Sequence, residues 1–133
     1  LVADQCEQVL REFFRLRPGE FPGFDLVLLG LGGEGHTASL FPGSEALHET
    51  KRLAVGTWVK TLEAWPITLT LPVLNNGSEV AFLVSGTEKA EALRNVLEGS
   101  FDPDLRRAQG VQPISGQPVF FVDQDAAKLL RVP

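Results

Sequence analysis

The feature that most constrains this chain is an apolar run over residues 24–31, FDLVLLGL, which leads directly into a glycine-rich turn. The run is too short for a helix, and a short continuous apolar run is typical of a strand that is covered on both faces. Strands of this kind occur in sheets that carry packed helices. The run therefore predicts an α/β fold.

Strand-like and helix-like segments alternate along the rest of the chain, as an α/β fold requires. The apolar spacing predicts helices over residues 3–16, 86–98 and 125–130, and strands over residues 52–57, 67–71, 79–84 and 119–122. We predict a largely parallel sheet with helices on both faces. In such sheets ligands bind beyond the carboxyl ends of the strands.

Finer features of these segments are also predicted. Ser85 and Glu88 have the spacing of a capping box before the second helix. Residues 99–116 are polar and contain several prolines and glycines, which predicts a surface loop. The helical spacing places an apolar face of the first helix towards the core, formed by Cys6, Val9, Leu10, Phe13 and Phe14.

The composition fits one globular domain and disfavours two classes of partner. The 133 residues carry 12 basic and 17 acidic side chains, a net charge of −5, so no polybasic face is available for nucleic acid or an anionic membrane. The apolar runs are too short to span a membrane, and no signal peptide is visible. Cys6 is the single cysteine, so nothing requires an oxidising compartment and we expect a cytoplasmic protein.

The glycine-rich turn, residues 30–43 with the sequence GLGGEGHTASLFPG, has two interpretations. Gly30, Gly32 and Gly35 fit the G-x-G-x-x-G pattern of dinucleotide-binding folds, but that pattern alone is weak. Its context disfavours nucleotides, because Pro42 ends any helix that begins near Gly35 within about two turns. The next predicted strand also ends without an acidic residue, and the turn lacks the Gly-Lys-Ser/Thr of a P-loop.

The second interpretation centres on His36, which follows the glycines at the start of a predicted short helix. Backbone N–H groups at such a position carry partial positive charge and can receive an oxyanion. Imidazole is the side chain best suited to move a proton near neutral pH. Together they fit hydrolysis of an ester or a lactone by water. The alternative is that His36 only caps a helix and the glycines only make a turn.

The same turn resembles the signature of the 6-phosphogluconolactonases, G-x-G-x-D-G-H-x-A-S-L-F-P-G. Two further blocks of that family follow in the same order, ITLTLPVLN at residues 67–75 and VAFLVSGTEKAEAL at residues 80–93. The ending SLFPG distinguishes the turn from that of the related glucosamine-6-phosphate deaminases, which share G-x-D-G-H. The resemblance covers most of the chain.

The resemblance implies a Rossmann-like α/β fold of the type shared with those deaminases. It also implies hydrolysis of 6-phospho-D-glucono-1,5-lactone to 6-phospho-D-gluconate in the oxidative pentose phosphate pathway, without a metal or other cofactor. The expected partner is thus a small sugar-phosphate lactone. Matched position by position, the resemblance implies that His36 is the general acid/base and that Glu34 is the acidic residue of the same motif. It implies that Lys89 binds the phosphate. The glycines that lie against the sugar are then Gly32, Gly33 and Gly35.

The prediction for Lys89 has an independent argument and an alternative. A cation in the first turn of a helix opposes the helix dipole by roughly a few tenths of a kcal/mol unless an anion is bound there. Because that penalty is small, the alternative is an ordinary solvated lysine. For metals the sequence offers no pattern, since His36, His48 and Cys6 are too few and too far apart.

Three departures from the family pattern bear on function. Glu34 stands where the family usually has aspartate, and Pro66 stands where an arginine commonly precedes the ITLT block. A proline cannot replace a guanidinium, so that contact is lost or supplied elsewhere. The family also begins with a further half-domain that nothing here matches, and the chain contains no methionine. We therefore expect residues 1–133 to form a single lactonase-like domain that lacks its amino-terminal strands.

Two other functions remain open at the level of sequence. One is a non-catalytic fragment that binds sugar phosphates. The other is a relative of the glucosamine-6-phosphate deaminases and isomerases, which share part of the glycine-rich turn.

Overall fold

The computed structural model describes residues 1–41 and 43–131. Its strands are β1 (Leu26–Leu29), β2 (Ala54–Gly56), β3 (Ile67–Leu69), β4 (Glu79–Val84) and β5 (Val119–Val122). Its α-helices are α1 (Val2–Phe13), α2 (Leu71–Asn75), α3 (Ala90–Glu98) and α4 (Gln124–Ala127). Short 3₁₀ turns lie at Glu45–His48, Thr87–Lys89 and Arg107–Gly110.

The larger sheet is parallel and has the strand order β1-β4-β5. Leu29 of β1 pairs with Phe82 of β4, which pairs in turn with Phe120 of β5. Strands β2 and β3 form a separate antiparallel pair. The predicted α/β class with a parallel sheet is confirmed, and the strands predicted at residues 79–84 and 119–122 coincide with β4 and β5.

One face of the parallel sheet forms the core. Side chains alternate along a strand, so every second residue of β1 and β4 points to this face. The residues buried there are Val27, Leu29, Val80, Phe82 and Val84. Helix α3 adds Leu93 and Val96 to the same buried cluster. Leu97, by contrast, is 44% exposed, so the inner face of α3 is centred on Leu93 and Val96.

The opposite face of the same sheet is uncovered in the described chain. Its large apolar side chains expose between 46% and 60% of their surface, whereas the small Ala81 between them is buried; the large ones are Leu26, Leu28, Leu83, Val119 and Phe121. The prediction of a strand covered on both faces is therefore wrong for β1, and the described helices cover one face of the sheet. An apolar sequence shows which residues a strand can bury, but it does not show whether a covering element lies in the same chain.

Helix α1 is held differently from the prediction. Val9 and Phe13, expected in the core, are 64% and 79% exposed, and Ala3 is the buried residue of this helix. A polar contact attaches the helix: the Glu7 carboxylate accepts a hydrogen bond from the N–H of Leu53 at 3.0 Å. Within α1 the same carboxylate also accepts from Arg11 Nη2 at 2.9 Å.

The predicted capping box before the second helix does not form. Ser85 Oγ donates to the Asp123 carboxylate at 2.7 Å, and Asp123 also accepts from the N–H of Ala126 in the first turn of α4. The α-helix that follows β4 begins at Ala90, after the 3₁₀ turn Thr87–Lys89. The Asp123 carboxylate thus accepts hydrogen bonds both from Ser85, which follows β4, and from the first turn of α4.

Three short elements were not predicted, of which one is the 3₁₀ turn Glu45–His48. Strand β3 ends at Leu69 and α2 follows at once, since Pro72 lies in its first turn, where proline favours a helix start. The 3₁₀ turn Arg107–Gly110 lies within the predicted loop 99–116. Among residues 1–41 and 43–131, no helix has the length and apolarity needed to cross a membrane.

Candidate active site

The glycine-rich turn follows the carboxyl end of β1 and forms a loop that is closed by its own backbone hydrogen bonds. The Gly32 N–H donates to the His36 carbonyl at 2.7 Å, and the Gly35 N–H donates to the Gly32 carbonyl at 2.9 Å. Gly35 and Ala38 have φ angles of +81° and +50°, in the left-handed region that interrupts a right-handed helix. The predicted helix start at His36 is therefore wrong, and the amides of this loop belong to turns.

The imidazole of His36 lies across the backbone of Gly32. A Cβ atom added to Gly32 would come within 2.0 Å of His36 Cε1, so glycine is required beneath the ring. Phe41 packs against the imidazole with a centroid distance of 4.7 Å and an interplanar angle of 30°. These contacts leave 21% of the His36 side chain exposed and restrict the orientation of the ring.

Glu34 fixes the protonation pattern of this ring. Its carboxylate contacts His36 Nδ1 at 2.5 Å. Because an ionised carboxylate can only accept, Nδ1 carries the proton, and Nε2 keeps a lone pair that can receive a proton. The hydrogen bonds from His36 and from the Glu34 N–H hold the pKa of Glu34 below its ordinary value, against the opposing effect of burial.

The ends of β1 and β4 meet in one cleft of about 510 Å³. The residues that line it are Gly30, Leu31, Gly32, Gly33, Glu34, His36, Thr37, Ala38 and Lys89. Lys89 enters from the 3₁₀ turn after β4, and its charge contributes to the lowered pKa of Glu34. Five of the six predicted site residues thus line one cleft, at the edge where parallel strands are expected to bind ligands.

Gly35 is the predicted site residue that lies outside this lining. It is buried, and its carbonyl accepts a hydrogen bond from the Ala108 N–H at 2.9 Å. Gly35 therefore connects the loop to the turn Arg107–Gly110. Thr37 was not among the predicted residues, yet it lines the cleft, and its Oγ1 donates to the Gly30 carbonyl at 2.8 Å.

The loop and Lys89 provide N–H groups that can donate hydrogen bonds to an anion, and one positive charge. No acceptor among residues 1–41 and 43–131 takes a hydrogen bond from the N–H of Gly33 or of His36. Lys89 is the one cationic side chain among the described residues that line the cleft. Pro66, at the position where an arginine was expected, is not part of this lining, and its carbonyl accepts from the Thr57 N–H at 3.3 Å.

Two further sequence predictions concern a helix end and a metal site. Pro42, predicted to end a helix, lies outside them. Within them, no group of three or more His, Cys, Asp or Glu side chains is arranged to hold a metal ion.

The sequence matches a known family over most of its length. A family model described as glucosamine-6-phosphate isomerases/6-phosphogluconolactonase matches residues 1–120. The chain is also 41% identical over 130 residues to a 6-phosphogluconolactonase from Synechocystis sp., covering 97% of this chain and 52% of that protein. The chain spans about half the length of the curated relatives it matches.

Solved structures show the same fold. A 6-phosphogluconolactonase from Leishmania guyanensis matches with a TM-score of 0.81 and 27% identity, over 98% of this chain and 53% of that chain. A monomeric glucosamine-6-phosphate deaminase matches with a TM-score of 0.66 and 23% identity, over 96% of this chain and 53% of that chain. The second likeness is one of fold alone.

Proposed function

The chain belongs to the family of glucosamine-6-phosphate isomerases and 6-phosphogluconolactonases, and on this premise we propose that it hydrolyses 6-phospho-D-glucono-1,5-lactone to 6-phospho-D-gluconate. The observation that carries the proposal is the His36–Glu34 pair, in which Nδ1 contacts the carboxylate at 2.5 Å and the ring lines the cleft. The names of the relatives support the lactone as the substrate. The reaction so written uses no metal or other cofactor.

In the proposed reaction, His36 Nε2 takes a proton from water while the water oxygen attacks the carbonyl carbon of the lactone. The carbonyl oxygen becomes an oxyanion, and we assign the N–H groups of Gly33 and His36 as its donors. The bond between that carbon and the ring oxygen then breaks, and His36 returns the proton to the ring oxygen. One water is consumed for each ring opened, and Glu34 stabilises the imidazolium that forms in between.

We assign the phosphate group of the substrate to Lys89. This side chain lines the cleft at the start of α3, and so does the loop that carries His36. A phosphate there also offsets the unfavourable interaction between Lys89 and the helix dipole. The same proposal treats residues 1–133 as one domain and places the protein in the cytoplasm, in keeping with its single cysteine.

A pH-stat assay on freshly prepared lactone, corrected for spontaneous hydrolysis, tests the proposal. We expect His36→Ala to lose at least about 100-fold of the hydrolysis rate, as removal of a general base does. His48→Ala is the matched control, because its side chain is 71% exposed and lies outside the cleft. Equal rates for the two variants would refute the role of His36.

Two further results would select a different function. Release of ammonia from glucosamine 6-phosphate would identify a deaminase. Binding of 6-phosphogluconate by a folded chain that hydrolyses no lactone would identify a non-catalytic sugar-phosphate-binding protein.

A further inference from the structure

Arg107 is a buried arginine whose guanidinium lacks hydrogen-bond partners in the described structure. The residue is 2% exposed, and its Nε and Nη1 atoms are enclosed and donate to no atom of residues 1–41 or 43–131. Such a group is costly, because the charge has left water and has gained no hydrogen bond in return. A buried donor of this kind in a native structure needs an explanation.

The buried arginine lies beside the glycine-rich loop. Arg107 begins a 3₁₀ turn, and the next residue, Ala108, donates its N–H to the Gly35 carbonyl at 2.9 Å. The preceding residue, Arg106, has its Cα 3.7 Å from the position that a Cβ of Gly35 would occupy. Ala108 therefore bonds to the loop that lines the cleft, and Arg106 lies close beside it.

Nearby carboxylates act on Arg107 without bonding to it. Burial lowers the pKa of Arg107, and the negative charges of Asp104, Asp102 and Glu34 oppose that effect. The carboxylates of these three residues make no hydrogen bond to its enclosed Nε and Nη1. Glu34 both lines the cleft and acts on Arg107, which links the buried cation to the ligand side of the loop.

The cleft is short of cations for a phosphorylated ligand. Lys89 is the one cationic side chain in its described lining, and Pro66 occupies the position of the expected arginine. A phosphate group has more oxygens than one ammonium can satisfy, and a guanidinium is the side chain whose geometry suits it. The unpartnered Nε and Nη1 of Arg107 could therefore donate to the phosphate oxygens that Lys89 leaves without a hydrogen bond.

We propose that Arg107 is an anion-binding residue of this site, and that its guanidinium receives an oxyanion group of the ligand together with Lys89. The anion supplies the acceptors that Nε and Nη1 lack. Because the guanidinium is enclosed, part of its cover must move before an anion can reach Nε and Nη1. The identity of the ligand rests on the proposed function, whereas the anion site does not.

The test is a titration of the ¹⁵N-labelled chain with inorganic phosphate, gluconate and 6-phosphogluconate, followed through the arginine Nε–H resonances. We expect phosphate and 6-phosphogluconate to shift the Arg107 resonance, which is assigned by its loss in Arg107→Met. That variant should bind inorganic phosphate at least about tenfold more weakly. Arg107→Lys should fall between it and wild type. Arg94→Met, which removes an exposed arginine of α3, should bind as wild type does.

The results separate this inference from its rivals. A shift with gluconate as well would support the site and add the carboxylate as a group it accepts. An Arg107 resonance that none of the three ligands moves would overturn the proposal, as would tight phosphate binding by Arg107→Met. If Arg107→Met does not fold, the loss of the resonance in Arg107→Lys assigns it, and the wild-type titration decides. Since no turnover is measured, failed lactone hydrolysis would refute the proposed function without affecting this result.

Discussion

The two faces of the parallel sheet contain the same kinds of residue and have different surroundings. In β1, Leu29 is 8% exposed, whereas its neighbour Leu28 is 57% exposed. In the adjacent strands, Phe82 is fully buried and Phe121 is 60% exposed. Apolar composition does not distinguish the members of each pair. Apolar residues allow either face to be buried, but a face is buried only where other elements of the chain pack against it.

The adjacent leucines of β1 give the largest expected contrast. Leu29→Ala removes a side chain from the packed cluster, so we expect the free energy of unfolding to fall by about 2–5 kcal/mol. Leu28→Ala should lower it by less than about 1 kcal/mol, because much of that side chain already contacts water. Urea denaturation followed by circular dichroism measures both. Equal losses would mean that the two faces are equally covered in solution.

Helix α1 extends the comparison to an element held by polar contacts. Burial alone would raise the pKa of Glu7, but hydrogen bonds from Arg11, Leu53 and Ala54 outweigh it and lower the pKa below its ordinary value of 4.5. Since the folded pKa is the lower one, the stability contributed by Glu7 is present above about pH 4.5. It is lost as the pH falls through the folded pKa.

We therefore expect Glu7→Gln to lower the free energy of unfolding by about 1 kcal/mol at pH 7 and to show a weaker acid dependence than wild type. Glu12→Gln is the control, because Glu12 is exposed on the same helix. Urea denaturation at pH 7 and at mildly acidic pH measures both variants. If Glu7→Gln and wild type lost stability in parallel as the pH fell, the polar attachment would contribute nothing.

The uncovered face should give the smallest change in stability. Phe121→Ser replaces a side chain that is 60% exposed, so we expect the free energy of unfolding to change by about 0.5 kcal/mol or less. The same variant should bind less of an apolar fluorescent dye, because an exposed apolar patch is interrupted. Unchanged dye binding, with Leu83→Ser as a second variant on the same face, would contradict the exposure of these residues.

Much of this fold follows from local sequence. The apolar segments of β4 and β5 are bounded by polar or turn residues, so their limits were predicted to the residue. The meeting of His36 with Lys89 was also predictable, because both follow parallel strands whose carboxyl ends share an edge. What spacing cannot show is a partner that is distant in sequence. Ser85 bonds to Asp123, 38 residues away, instead of forming the local capping box.

The conformation of the site loop and the burial of Arg107 could not be predicted from local spacing either. A histidine after glycines fits a helix start as well as a turn, and the φ angles of Gly35 and Ala38 decide between them. Arg107 lies in a polar segment predicted as a surface loop. In the structure that segment docks against Gly35 through the Ala108 N–H, a contact between residues 73 positions apart that local spacing does not reveal.

The space beneath the imidazole lets the residue at position 32 control where the ring of His36 lies. Even a methyl group at Gly32 would occupy volume that the ring now fills. An alanine there would force the ring to shift from the position in which Nδ1 contacts Glu34, although neither His36 nor Glu34 had been altered. While His36 keeps its present pose, evolution at position 32 is therefore closed to every amino acid but glycine.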